Sequence, residues 1–330
     1  MFLPTTREEM KALGWDCLDM VLVTGDSYID HPSIGVSVIG RVLLDAGFRA
    51  GIIAQPDTTS GTDIMRLGEP LLFWGVTSGS IDSMVANYTA AGKRRKGDDY
   101  TPGGDNRKRP DRAVIAYTNL IRQHFKKTCP IVLGGIEASL RRIAHYDFWS
   151  DSIRRSILFD AKADILVYGM GEKAVVKLAQ ALRGGNDYLN VRGICYISKE
   201  RPFAGVELPS YKTVTTHKAA FLDMFRMFST MSEGGARAEI ICQLQDTRYL
   251  VQNPPQPSLT TPEMDHVHTL PYERDQHPYY EKLGKVRALE TIRFSITTHR
   301  GCFGGCSFCS IGIHQGLSLI HISEPTRQAE

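Results

Sequence analysis

Leu18-Asp19-Met20-Val21-Leu22-Val23-Thr24-Gly25-Asp26 is a nearly continuous apolar run closed by a glycine and a carboxylate. Such a run reads as a strand buried on both faces that gives way to a loop. Residues 33–46 follow with Ile34, Val38, Ile39, Val42 and Leu43 at helical spacing and a stop at Gly47. Residues 49–54 make a second short strand. Strand, helix and strand in that order form a βαβ unit, whose two strands run parallel in one sheet.

The alternation continues outward from this unit. A third strand is expected over 71–76 and a helix over 81–90. An amphipathic helix spans 111–127, and a strand over 130–133 ends at Gly134-Gly135. Another strand, 165–168, ends in Gly169-Met170-Gly171 before a helix over 173–182. The expected fold is α/β, a Rossmann-like doubly wound parallel sheet. Several strands end in loops rich in glycine or hydroxyl residues, where such a sheet places ligands. Glu137 and Glu172 each stand at the mouth of a glycine-rich turn. They are expected to complement helix N-termini, with ligand contact as the other reading.

Residues 200–250 are less regular, with one helical stretch near 217–230. Asn253-Pro254-Pro255-Gln256-Pro257 cannot continue a helix or a central strand and marks a connector. His266, His268 and His277 lie among its prolines and acids, where loop packing is the default and a metal site the alternative. A further strand is expected over 292–297.

The chain has 330 residues, a length that suggests roughly two domains. Its 42% hydrophobic and 23% charged residues are ordinary for a soluble globular protein. A net charge of +3 is too small to argue for nucleic acid or a membrane as partner. No stretch approaches the ~20 apolar residues of a membrane span, and residues 1–10 lack the apolar core of a signal peptide. The loop over 93–112 carries eight cations, but Asp98, Asp99, Asp105 and Asp111 dilute their field. It reads as a solvated loop rather than a nucleic-acid site.

Of the seven cysteines, Cys17, Cys129, Cys195 and Cys242 stand alone and read as inert thiols. Cys302, Cys306 and Cys309 crowd into eight positions as C-x3-C-x2-C. Such spacing is not a disulfide framework and fits a reducing cytoplasm. Three thiolates in one loop can hold three irons of a [4Fe–4S] cube and leave the fourth open. Gly304 and Gly305 let the backbone wrap closely around such a core. The rival reading is zinc, with His299 or His314 as the fourth ligand, in a binding module without redox chemistry.

With these cysteines, the chain resembles radical S-adenosylmethionine (SAM) enzymes, and in particular the YgiQ family. The resemblance rests on Gly25-Asp26-Ser27-Tyr28-Ile29-Asp30-His31-Pro32-Ser33 and Arg109-Pro110-Asp111-Arg112-Ala113. Leu133-Gly134-Gly135-Ile136-Glu137-Ala138-Ser139, Leu270-Pro271-Tyr272 and Arg300-Gly301-Cys302-Phe303-Gly304-Gly305-Cys306 complete it, covering residues 1–316. It implies a [4Fe–4S] cluster on Cys302, Cys306 and Cys309, with SAM on the open iron and Phe308 near its adenine. Reductive cleavage of SAM would give a 5′-deoxyadenosyl radical that attacks an unknown substrate, the electron coming from a flavodoxin or ferredoxin.

The family layout implies a cobalamin-binding-like Rossmann domain with an extension over 1–250 and a connector over 251–290. The first strand and cluster loop of a radical SAM (β/α) barrel would occupy 291–316. Cobalamin, and with it a radical methyltransferase, remains an alternative. The Asp-x-His-x-x-Gly pattern of cobalt-ligating loops is altered here, because Asp30 and His31 are adjacent and Gly35 lies four residues on. His31 has a structural loop contact or a substrate contact as its other readings.

After Gly316, residues 317–327 read like the in-frame translation of a transposase-based sequencing adapter, and 328–330 like the index that follows. A (β/α)8 barrel needs about 200 residues or more, and residues 292–316 supply 25. The barrel is therefore expected to be truncated and this polypeptide to lack SAM cleavage activity.

Overall fold

The computed structural model describes residues 1–233, 239–295, 297, 300–302, 306 and 309–315. The apolar run at the start of the chain forms β1 (Met20–Thr24), buried along its whole length. A two-residue strand, β2 (Ile29–Asp30), and the helix Gly35–Asp45 lead to β3 (Ala50–Ala54). β4 (Phe73–Thr77), β5 (Ile131–Leu133), a small hairpin of β6 (His145–Asp147) and β7 (Ser152–Arg154), and then β8 (Ile165–Val167) follow.

Five of these strands lie parallel in the order β3-β1-β4-β5-β8. Alternate residues of β1 serve two cores. Val21 and Val23 face the helix Ala113–His124 through Val114, Tyr117 and Ile121. Met20 and Leu22 share the other core with the helices Gly35–Asp45 and Glu172–Arg183. Helices thus cover both faces, and both apolar sides of each strand are buried. The chain leaves β1 for β3 on one side and reaches β4 on the other. This places the topological switch point between the carboxyl ends of β1 and β4.

The sheet is mixed rather than wholly parallel, which corrects the expectation from the first half of the chain. β9 (Ile194–Ser198) is antiparallel to β8. β10 (Val206–Leu208) forms an edge parallel to β11 (Ile241–Gln245), which makes a hairpin with β12 (Arg248–Gln252). β12 pairs antiparallel with β9 and completes nine strands among the described residues. The β11–β12 hairpin follows from the turn at Asp246-Thr247: a two-residue connection can join only antiparallel neighbours. The helix Lys218–Glu233 covers this half with Met224 and Phe228.

Residues 253–295 pack back onto the α/β domain. β13 (Asp275–Gln276) pairs with β2, and Met264, Val267, Tyr280 and Ala288 enter the second core. The strand expected over 292–297 does not form among the described residues. Ala288–Ile292 is instead a helix, Arg293 continues in helical geometry, and Leu289 and Ile292 pack against the second core. Ala, Leu and Glu favour that helix, and no described strand edge is paired with this segment to satisfy an extended backbone.

Candidate functional site

At the switch point the loops after β1 and β4 touch. A Cβ on Gly25 would lie 2.2 Å from the Ser78 carbonyl oxygen, so this close approach requires glycine. Gly79, at φ +104°, leaves room for the Asp26 carboxylate and satisfies a backbone closed to other residues. Asp26 accepts from the Ser80 amide at 2.6 Å and pairs with Arg109 at 2.8 Å. Arg109 also pairs with Asp98 at 2.9 Å and donates to the Ser78 carbonyl at 2.6 Å. All three charged residues are buried. Burial raises the Asp26 pKa against the opposing pull of Arg109. Two of the segments that carried the family resemblance are thus bound together by one guanidinium.

Glu137 and Glu172 both begin helices, as expected, but each does more. Glu137 accepts from the Ser83 amide at 2.9 Å and the Val114 amide at 3.2 Å, satisfying the N-termini of two other helices. Glu172, in the first turn of Glu172–Arg183, forms a buried ion pair with Arg300.

Through Arg300 the cysteine segment meets the sheet edge. Gly301 donates its amide to Gln315 Oε1 at 2.8 Å, and the helix Ile311–Gln315 packs on the helix Gly135–Leu140. His314 Nδ1 lies 3.1 Å from Ser139 Oγ. Burial, helped by the nearby Arg142 charge, lowers the His314 pKa to about 4, so the imidazole is neutral at pH 7.

Cys302, Cys306 and Cys309 are exposed and none is in a disulfide. The Cys309 amide donates to the Cys306 carbonyl at 3.0 Å. Among the described residues no three His, Cys, Asp or Glu side chains converge on one point. The donor set fits an iron–sulfur cluster by its chemistry, three accessible thiols within eight positions. Phe308, expected beside SAM, and His299, a candidate zinc ligand, lie outside the described residues.

A cavity of about 500 Å³ opens between the sheet edge and this segment. Leu22, Val38, Ile39, Phe73, Val132 and Val175 form its apolar floor. Asp26, Glu172, Arg300 and His314 stand in its wall. The expectation that ligands gather beyond the carboxyl ends of the strands therefore meets a real space.

His31 is buried, with Nδ1 2.7 Å from Ser33 Oγ, and it does not line the cavity. Its Nε2 is buried and has no hydrogen-bond partner among the described residues. His266 pairs with Asp45 at 2.7 Å, and His277 stacks on Tyr28 and accepts from the Tyr279 amide. Cys195 and Cys242 are buried, and burial pushes Cys129 up to about 11, as expected of inert thiols. In the basic loop, Arg107 pairs with Asp105 at 2.9 Å, and Arg112 with Asp147 at 2.6 Å.

These features define an α/β domain whose switch-point cavity is walled by a cysteine-rich segment. The chain belongs to the family described as Radical SAM N-terminal, whose model matches residues 2–295. A UPF0313 protein of Thermotoga petrophila is 56% identical over 327 residues, covering 98% of this chain and 57% of that protein. A UPF0313 protein of Fusobacterium nucleatum is 52% identical over 324 residues, with 98% and 57% covered. The chain thus spans little more than half the length of these relatives. Among solved structures, the radical SAM methyltransferase TsrM from Kitasatospora setae matches with a TM-score of 0.36 and 20% identity. That match covers 54% of this chain and 28% of TsrM, and at this level it carries no argument about chemistry.

No helix among the described residues is long and apolar enough to cross a membrane.

Proposed function

We propose that the chain is the α/β domain and cluster-bearing segment of a cytoplasmic radical SAM enzyme. Cys302, Cys306 and Cys309 hold a [4Fe–4S] cluster in this reading, with Phe308 beside SAM. The observation that carries it is the placement of three accessible thiols on a segment anchored by Arg300 to the carboxyl edge of the parallel sheet. When bound, the cluster and SAM supply reductive cleavage of the sulfonium, giving methionine and a 5′-deoxyadenosyl radical. The chain's own residues do the positioning. Glu172 fixes Arg300, Ser139 meets His314, and the packed helix Ile311–Gln315 holds the segment against the domain.

A flavodoxin or ferredoxin is the proposed electron source, and a net charge of only +3 gives no reason to expect nucleic acid as the substrate. The alternative, a radical methyltransferase that carries a corrinoid, would show as corrinoid absorbance in anaerobically isolated protein. A zinc-stabilised module would instead contain zinc and neither iron nor sulfide.

The test is SAM turnover by the protein extended to the length of its relatives. Formation of 5′-deoxyadenosine under a strong reductant, lost in Cys302→Ala, supports the reading. Equal turnover in that variant, or none in the parent protein, contradicts it.

A further inference from the structure

The cavity at the switch point combines features that a mere packing fault lacks. Its floor is apolar, and its rim collects two helix N-termini. Neither Ile34, before the helix Gly35–Asp45, nor Gly171, before Glu172–Arg183, supplies a side-chain cap. Both residues line the space. The first amides of a helix have no partner within it and are donors for a ligand acceptor. Glu172 adds the complementary group. It is 5% exposed and lines the cavity, and its Oε2 has no hydrogen-bond partner among the described residues, although Oε1 meets Arg300. A buried carboxylate oxygen left so costs free energy unless a donor reaches it.

Two glycines keep the space open without being needed by the backbone. Gly134 lies at φ −155°, and a Cβ there would come no closer than 3.9 Å to another atom, the Val167 oxygen. A Cβ on Gly35 would meet nothing within 4 Å. Both line the cavity, so a larger side chain at either point starts from open space at its wall or mouth and meets no backbone closer than 3.9 Å.

We infer that this cavity binds an uncharged heterocycle of nucleoside size bearing hydroxyl or amino donors. The apolar floor between sheet and helix takes the flat ring, the helix amides take its acceptors, and Glu172 takes a donor. Arg300, the one guanidinium among the described residues of the wall, is already committed to Glu172, and His314 is neutral at pH 7, so no cationic side chain is left over for a phosphate. Thr297, Arg300 and His314 close the same space from the cysteine side. A ligand held there faces the cluster segment as a substrate would; that last point rests on the function proposed above, whereas binding itself does not.

The experiment is calorimetric titration of the 330-residue protein with inosine and with inosine monophosphate. Saturable inosine binding is expected, with the monophosphate at least tenfold weaker. Gly134→Leu and Gly35→Leu are each expected to abolish binding while leaving the melting temperature within about 2 °C, since neither site is strained. If one variant fails to fold, the other decides. Four results overturn the inference: no saturable inosine binding, equal binding of the monophosphate, unchanged binding in a folded glycine variant, or a co-purifying corrinoid that Gly134→Leu displaces. Iron and sulfide uptake is measured on the protein extended to the length of its relatives. Inosine binding without iron uptake sinks the cluster reading and leaves this site standing, and iron uptake without inosine binding does the reverse.

Discussion

Arg300, two residues before the first clustered cysteine, is paired with Glu172 at the start of the helix behind the parallel sheet, and both side chains are more than nine-tenths buried. An ion pair so enclosed fixes register, because either partner alone would carry a desolvated charge. It ties the cysteine segment to an element 128 residues earlier.

Glu172→Ala removes the carboxylate that holds Arg300. Breaking a buried pair from one side costs about 3–5 kcal/mol, and the loss should concentrate in the docked segment. Hydrogen exchange is expected to quicken across 300–315 while the strands β1 and β4 keep their protection. Unchanged exchange across 300–315 would show that the pair does not anchor it.

Arg109→Leu strips the cation from between Asp26 and Asp98. A loss of about 3–5 kcal/mol is expected in urea unfolding. The pH dependence gives a second handle. Burial raises the Asp26 pKa, so its native state binds a proton more readily than the unfolded chain does. Its contribution is therefore largest at low pH and is lost as pH rises through the native pKa. Without Arg109 that shift grows, and the variant should lose more stability at pH 8 than at pH 5.

Glu137→Ala leaves the Ser83 and Val114 amides without their acceptor. Two unsatisfied buried donors cost about 2–4 kcal/mol together. Glu137→Gln, which keeps one oxygen, should lose less. Thermal melts of the two variants should therefore rank alanine below glutamine.

Acid should loosen the protein in two stages. Burial lowers the pKa of His145 and His314 to about 4. Their folded values lie below the ordinary 6.5, so the stability they contribute is complete above pH 6.5. It is lost as pH falls through 4. Asp147 follows. Burial would raise its pKa, but hydrogen bonds from Arg112 and Ser150 prevail and hold it at about 2. That contribution is lost as pH falls from 3.8 through 2. Denaturant midpoints measured from pH 7 to 3 should fall first between 6.5 and 4, and His145→Gln should flatten that step.

The parallel half of the fold was legible because its strands are buried on both faces and end in glycine. The apolar run closed by Gly25-Asp26, the helical spacing of Val38, Val42 and Leu43, and the Gly134-Gly135 stop each matched an element within about two residues. The antiparallel half was not, because β9 to β12 alternate weakly and their pairing depends on one tight turn at Asp246-Thr247. Ile292 misled for another reason: a short apolar stretch suits a strand or a buried helical turn equally, and packing chose the helix. At the site, the three cysteines and Glu172 stood out by spacing and position. The partners of Glu172 and His314 did not, since no local pattern links residues more than a hundred positions apart.

In the proposed function Cys302, Cys306 and Cys309 hold a cubane cluster with one iron open to SAM. Anaerobic reconstitution of the protein at the length of its relatives, followed by EPR of the reduced form with and without SAM, tests it most directly. About four irons and four sulfides per chain are predicted, with a reduced-cluster signal that changes when SAM is added and is lost in Cys306→Ala. A protein that takes up neither iron nor sulfide, or a signal indifferent to SAM, contradicts the account.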